Sequence, residues 1–321
     1  MRFILFLALW SGTAGADSVD DWLMRMNDAA VNLSYQGIFV YVNGSNLETM
    51  QVAHQVDDGI VRERIYSLNG APREIVRDAE QVWCYVPEQK MGMHEFRQVP
   101  KQSFPNILPR RLGQLSDNYS LTLGREDRIA DRTAQQILIA PRDEYRYGYV
   151  LWADRKTGLL LKAALVANEN EPVEQYMFTK VSIGDNIDSV DLASNTGKEN
   201  LKWFGPADGS PGPVNDEVLN PGWAVTELPD GFELSTQIKR ISPINKRMME
   251  HYVYSDGLAA VSVFIEVLNV VNTTPLIKGT TRIGAVHAFG HTQDGYHVTV
   301  VGGVPSRTVD MMAMSVKKLL E

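Results

Sequence analysis

The feature that most constrains this chain is a long succession of short β-prone runs separated by turn signals. The first, Leu33–Val42, is rich in β-branched and aromatic residues and ends at Asn43-Gly44, a pair suited to a tight hairpin turn. Further runs follow at Leu47–Gln55, Ile60–Leu68, Arg73–Asp78, Gln81–Val86, Ser120–Glu126, Gln135–Pro141, Tyr145–Ala153, Leu159–Ala167 and Val173–Ile183. Asn69-Gly-Ala-Pro72 breaks the series as a turn. The spacing predicts a meander of about ten strands, which is one large antiparallel sheet or barrel. Neither βαβ alternation nor a fixed-period repeat is present. Ahead of it, Ser18 can cap a helix in which Val19, Trp22, Leu23 and Met26 recur at helical spacing.

The strand pattern lapses between Ser189 and Gly222, where Gly205-Pro-Ala-Asp-Gly-Ser-Pro-Gly-Pro213 is dense in breakers and reads as a linker, with Leu201–Phe204 packing against one unit. A smaller unit follows. Its strand candidates are Trp223–Leu228, Phe232–Arg240, Met249–Tyr254, Leu258–Val267, Thr280–Phe289 and Tyr296–Val301, with turns at Ser255-Asp-Gly257 and Gln293-Asp-Gly295. A last helix is expected from about Ser306 to Leu320, striped by Val309, Met312, Val316 and Leu319. Strands covered by one helix make an α+β module. The length of 321 residues suits two domains, and 44% hydrophobic with 22% charged residues is an ordinary globular balance.

Residues 1–16 read as an export signal: Met1-Arg2 is a positive start, Phe3–Trp10 an apolar run too short for a bilayer span, and Ala14-Gly-Ala16 a cleavage pattern. The expected organisation is therefore a signal peptide over 1–16, a large β domain over 17–200, a linker over 201–222 and a small α+β domain over 223–321. Cys84, the single cysteine, cannot form an internal disulfide and reads as a small buried hydrophobe. No cysteine follows the cleavage pattern to carry a lipid.

A net charge of −8 argues against a nucleic-acid partner. Phosphate-cradling glycine loops, H-E-x-x-H and the G-x-S-x-G elbow do not occur, so no catalytic residue, cofactor or metal is assigned. His287, His291 and His297 straddle one hairpin but read as strand histidines rather than zinc ligands.

Aromatic density is the more informative pattern. Trp83 and Tyr85, and Tyr145, Tyr147 and Tyr149, fall in strand-like runs, and the last three alternate as if on one face. Such a face is either plain core or the lining of an apolar cavity. A curved sheet under a single short helix has few elements to fill it, which raises the option of an apolar cavity, with these five residues as the candidates to border it. Two basic clusters stand out: Lys101, Arg110 and Arg111, and Lys239, Arg240, Lys246 and Arg247. They read either as solvated surface or as contacts for an anionic lipid or acidic peptide.

Seven segments give the chain a family likeness. Ser34-Tyr-Gln-Gly37, Arg73-Glu-Ile-Val-Arg77, Arg128-Ile-Ala-Asp-Arg132 and Arg146-Tyr-Gly-Tyr-Val-Leu-Trp152 lie in the first unit. Leu228-Pro-Asp-Gly-Phe232, Tyr254-Ser-Asp-Gly-Leu258 and Thr299-Val-Val-Gly302 lie in the second. In this order and spacing the chain resembles the RseB/MucB family, periplasmic regulators of sigma-E or AlgU envelope-stress sigma factors, its pseudomonad branch above all. The resemblance implies an unclosed antiparallel half-barrel like that of the carriers LolA and LppX, with a helix packed on it, followed by a small α+β domain. It implies a soluble periplasmic regulatory binding protein, not an enzyme. Its partner would be the periplasmic segment of a membrane anti-sigma factor of the RseA/MucA type, shielded from regulated proteolysis. Lipopolysaccharide or another mislocalised envelope lipid would be the releasing signal. A lipid or lipoprotein carrier is the alternative, and a homo-oligomer is left open.

Overall fold

The computed structural model describes residues 17–96, 104–105, 107–109, 112–167, 171–184, 186–196, 201–204, 222–241, 248–268 and 277–319. The expected signal peptide, the Gly205–Pro213 stretch, and Lys101, Arg110, Arg111, Lys246 and Arg247 lie outside the described residues.

Helix α1 spans Val19–Asn32 and starts where the sequence asks it to. Ser18 accepts from the Asp21 amide while the Asp21 carboxylate accepts from the Ser18 amide at 2.9 Å, a reciprocal cap. Its inner face buries Trp22, Leu23 and Met26 in the core of the large unit. Arg25 ties the helix to the sheet by donating to the Arg155 carbonyl at 2.7 Å.

The strands of the large unit are β1 (Tyr35–Asn43), β2 (Asn46–Asp57), β3 (Ile60–Ser67), β4 (Glu74–Arg77), β5 (Gln81–Val86), β6 (Met91–Phe96), β7 (Tyr119–Ile129), β8 (Arg132–Pro141), β9 (Gly148–Asp154), β10 (Leu160–Val166), β11 (Pro172–Ile183) and β12 (Lys202–Phe204). Short helices α2 (Leu115–Asn118) and α3 (Ser189–Leu192) interrupt them. The order is β12-β6-β5-β4-β3-β2-β1-β11-β10-β9-β8-β7, antiparallel but for the β12–β6 pair. The first half of the meander runs outward from β1 and the second half returns to pair β11 against β1, so consecutive hairpins build a single sheet. Among the described residues its edges β7 and β12 do not meet, and the sheet stays open.

Cross-strand register sorts the side chains. Gly37, Val52, Ile65, Ile75 and Cys84 stand opposite one another from β1 to β5, on the face that α1 covers. Gln51, Tyr66, Glu74 and Tyr85 stand on the other face. That second face is covered by the chain after β11. Ile187 and Leu192 pack on Ala53, and Glu74 accepts from Arg64 at 2.6 Å and from the Thr196 amide at 3.1 Å.

The small unit holds a six-stranded sheet of order β14-β15-β16-β19-β18-β17. It is made of β14 (Glu233–Ile241), β15 (Met248–Ser255), β16 (Ala260–Val267), β17 (Gly279–Ile283), β18 (Val286–Gln293) and β19 (Tyr296–Gly302). Helix α4 (Ser306–Met314) packs Val309 and Met312 onto Val261, Val263, Val298 and Val300. Beside it, β13 (Trp223–Val225) pairs with β20 (Val316–Lys318).

Three expectations need correction. The last helix stops at Met314 rather than near Leu320, because Val316 is buried by pairing with Val225 in β20. The Thr280–Phe289 run is two strands, since Gly284 takes φ +59° and turns the chain between them. Tyr145 and Tyr147 precede β9 instead of lying on it. The Asp143 carboxylate accepts from the Tyr145 amide at 3.0 Å and holds a bend there.

Candidate functional site

Two places in the molecule gather unusual side chains. The first is the contact between the units. Arg146 is fully enclosed and uses its whole guanidinium. Nη1 donates to the Asp256 carboxylate at 2.5 Å, Nη2 to the Asp230 carbonyl at 2.6 Å, and Nε and Nη2 both reach Asp143, at 3.1 and 2.7 Å. Tyr119 donates to the same Asp256 oxygen at 2.9 Å, and the guanidinium lies 5.1 Å from the Phe232 ring centre. The other Asp256 oxygen accepts from the Leu258 and Ala259 amides, so one carboxylate both shapes the β15–β16 turn and holds the large unit. Burial, then the Asp256 charge, push the Tyr119 phenol far above its ordinary range, and it remains a donor. Around this centre Thr308 donates to the Tyr145 carbonyl at 2.6 Å, and Arg307 pairs with Glu144.

The second place is an aromatic chamber on the α1 side of the large sheet. Phe39, Tyr176 and Phe178 surround Phe104, with ring centres 4.4, 4.9 and 5.9 Å from it. Tyr35 donates to the Phe104 carbonyl, and Tyr176 donates to the Pro105 carbonyl at 3.1 Å. Ile107 and Leu108 follow into the same core. Next to the Arg146–Asp256 contact, a latch between the units, Arg146, Gly148, Tyr149 and Val166 line a cavity of about 240 Å³, below the range of about 300–1,000 Å³ usual for a drug-sized ligand.

This architecture has relatives. Residues 18–196 match the model of the MucB/RseB N-terminal domain, and residues 217–317 match that of the MucB/RseB C-terminal domain. The chain belongs to the MucB/RseB family. Among its relatives, the sigma factor AlgU regulatory protein MucB of Pseudomonas aeruginosa is 33% identical over 309 residues, covering 95% of this chain and 92% of that one. The sigma-E factor regulatory protein RseB of Escherichia coli is 25% identical over 318 residues, covering 98% and 94%. Solved structures agree. MucB in complex with the periplasmic part of MucA superposes with TM-score 0.71 at 28% identity, covering 95% of this chain and 100% of that one. The Pseudomonas aeruginosa MucA/MucB complex gives 0.73 at 29% identity, covering 94% and 99%.

In this MucB/RseB family chain, three of the segments that carried the likeness converge. Arg146 begins one, Asp230 and Phe232 belong to the second, and Asp256 to the third. The motifs are distant in sequence and meet at the latch.

The five aromatic candidates are not gathered on one face. Tyr149 shares the chamber side of the sheet, opposite Ile139 and Leu165. Tyr147 is buried at the contact between units, its hydroxyl 3.5 Å from His287 Nδ1. Tyr145 is half-buried there, held by its backbone. Trp83 and Tyr85 lie on the opposite face, where Trp83 stacks on His94 at 5.5 Å and Tyr85 meets Trp203 edge-on at 5.6 Å. Of the basic quartet, Lys239 is exposed and pairs with Glu250 at 3.6 Å, and Arg240 lies on β14. Lys246 and Arg247 fall outside the described residues. The histidines do not converge: His291 stands opposite Val298, so His297, one residue earlier on β19, faces the other way. Sequence reasoning missed Arg146, Asp256, Phe39, Phe104 and Phe178 as a set; only the aromatic density and the Tyr-Ser-Asp-Gly-Leu turn hinted at them.

Proposed function

We propose that this chain is a periplasmic regulatory binding protein that holds the periplasmic segment of a MucA/RseA-type membrane anti-sigma factor, shields it from regulated proteolysis, and so restrains a sigma-E/AlgU-type sigma factor. The observation that carries this reading is the match, over 95% of the chain, to MucB solved with the periplasmic part of MucA. A protease needs an extended, accessible segment, and a partner that seats the segment on its own surface withholds it. The latch supports the reading physically, because it joins the two units into one continuous surface. Lys239, Arg240, Lys246 and Arg247 are the proposed basic contact for that segment. No step of this activity requires bond making or breaking.

Acyl lipid, lipopolysaccharide included, is the proposed releasing signal, with the chamber beside Tyr149 as its receptor. If lipid and segment oppose each other, one coupling free energy of about 1–3 kcal/mol governs both, and each must weaken the other by the same factor. The test is protection from proteolysis. The mature chain should slow cleavage of the anti-sigma segment, and lipopolysaccharide should restore it. Unchanged cleavage with saturating chain contradicts the reading. The chamber also favours a second reading, a lipid carrier, which would hand bound lipid to acceptor vesicles and leave the segment's cleavage unaffected.

A further inference from the structure

The small unit seals in a titratable group that neither the latch nor the proposed binding surface uses. We infer that His297 is an acid-sensitive bolt: uncharged, it stays enclosed in the sheet of the small unit, and on taking up a proton it releases the turn between β18 and β19. The inference concerns the small unit alone and does not depend on the proposed function.

The geometry is that of an imidazole with no place for a charge. Strand β19 alternates, so Val298 and Val300 enter the core under α4 and His297 stands on the opposite face. It is 4% exposed, and neither ring nitrogen has a hydrogen-bond partner. A neutral imidazole already leaves one donor and one acceptor unpaired there; an imidazolium would leave two donors and a charge. The groups that face it do not offset that cost. Glu266 of β16 is directly opposite but makes no hydrogen bond to either nitrogen, and Thr292 of β18 is the other cross-strand neighbour. His291 of β18 and Lys278, just ahead of β17, oppose a further positive charge. Met249 of β15, opposite Glu266, brings no charge, and residues 269–276 contain no ionisable side chain. Burial, with His291 and Lys278, outweighs Glu266 and holds the imidazole below its ordinary range.

What the proton releases is set by where His297 sits. It follows a turn in which Asp294 and Gly295 take φ +49° and +79°. That turn is tied from three sides. The Gly295 carbonyl accepts from the Leu268 amide at 2.9 Å, Gln293 donates to the Val316 carbonyl of β20 at 3.0 Å, and the Tyr296 ring meets Trp223 of β13 edge-on at 4.9 Å. A charged His297 reaches water only if the ends of β16 and β19 part, which loosens all three ties. The folded state holds this proton less tightly than the unfolded chain. Closure is therefore complete above the unfolded value, near about 6.5, and weakens as pH falls through it.

The experiment measures amide hydrogen exchange of residues 17–321 at pH 7 and pH 5.5, each corrected for the intrinsic exchange rate. Protection of the 294–299 amides should fall by about fivefold at the lower pH, while the α1 amides of Leu23 and Met26 change by less than about twofold. His297→Phe, close in volume and unable to charge, should hold the 294–299 amides within about twofold between the two pH values. Glu266→Gln, which removes the opposing negative charge, should deepen the acid loss. NMR titration of the unaltered chain with labelled histidine keeps the test open if His297→Phe fails to fold. There the His297 imidazole should take up its proton with a midpoint below about 6.5, in step with the loss of protection. The same acid loss in a folded His297→Phe chain, no loss in the unaltered chain, or an equal loss in α1 would overturn the inference. So would a Glu266→Gln chain less acid-sensitive than the unaltered one, or a His297 that charges while protection stays intact.

Discussion

Arg146 of the large unit and Asp256 of the small unit form an ion pair at 2.5 Å with both side chains fully enclosed. A buried pair of this kind adds little over a well-packed apolar pair, but removing one partner leaves an uncompensated charge, which typically costs about 3–5 kcal/mol. The pair therefore specifies how the units meet more than how stable each one is. The latch fixes how the units meet although the stretch that joins them is rich in chain breakers.

Asp256→Asn is expected to destabilise the chain by about 2 kcal/mol, below the cost of a fully uncompensated charge, since Arg146 keeps its pairing with Asp143 and loses only the Asp256 charge. Calorimetry should resolve one unfolding transition in the unaltered chain and two in the variant. Restoring shape without charge, in Arg146→Met with Asp256→Leu, should recover part of that loss. A variant that still unfolds in one transition, with unchanged midpoint, would show that the latch does not couple the units.

Gly92 lies where a Cβ would come within 2.7 Å of the Trp203 ring. Gly92→Val should expel β12 from the sheet edge at a cost of about 1–3 kcal/mol. Increased protease sensitivity after Leu201, with a red-shifted tryptophan emission, checks this. Unaltered emission in a folded variant would contradict it.

Asp154 governs an acid limb of stability. Burial raises its pKa, but Arg132 and the Thr157 hydroxyl and amide outweigh burial and hold it below the ordinary carboxylate value. A carboxylate whose folded pKa is depressed contributes stability that is fully present above its unfolded pKa, near about 3.9, and lost as pH falls through the folded value. Asp154→Asn should therefore be less stable at pH 7 and show a shallower loss of stability below about pH 4. Denaturant titrations at pH 7 and pH 3 measure the difference; parallel losses in both chains would remove Asp154 from the account.

Much of this fold is legible in the sequence, and the exceptions have physical causes. The runs that became β1 to β5 announce themselves by β-branched residues and Asn-Gly turns. Met91–Phe96 carries no β-branched residue and no alternation, yet pairs as β6 because its neighbour β5 offers an edge. Lys202–Phe204 is too short for any periodicity and is held by Trp203 against Tyr85. The latch was illegible for another reason. Arginine is ordinarily a surface residue, and what buries Arg146 is a carboxylate 110 positions away. Chamber and latch both depend on which face each strand presents, and Tyr145 and Tyr147 show how one Asx bend at Asp143 defeats a period-two reading.

The most direct measurement is calorimetric titration of residues 17–321 with the periplasmic segment of a candidate membrane anti-sigma factor. Saturable binding at micromolar strength or tighter, weakened by prior addition of lipopolysaccharide and by reversing the charges of Lys239, Arg240, Lys246 and Arg247, is the predicted result. No heat of binding from a folded chain at concentrations of tens of micromolar would contradict the account.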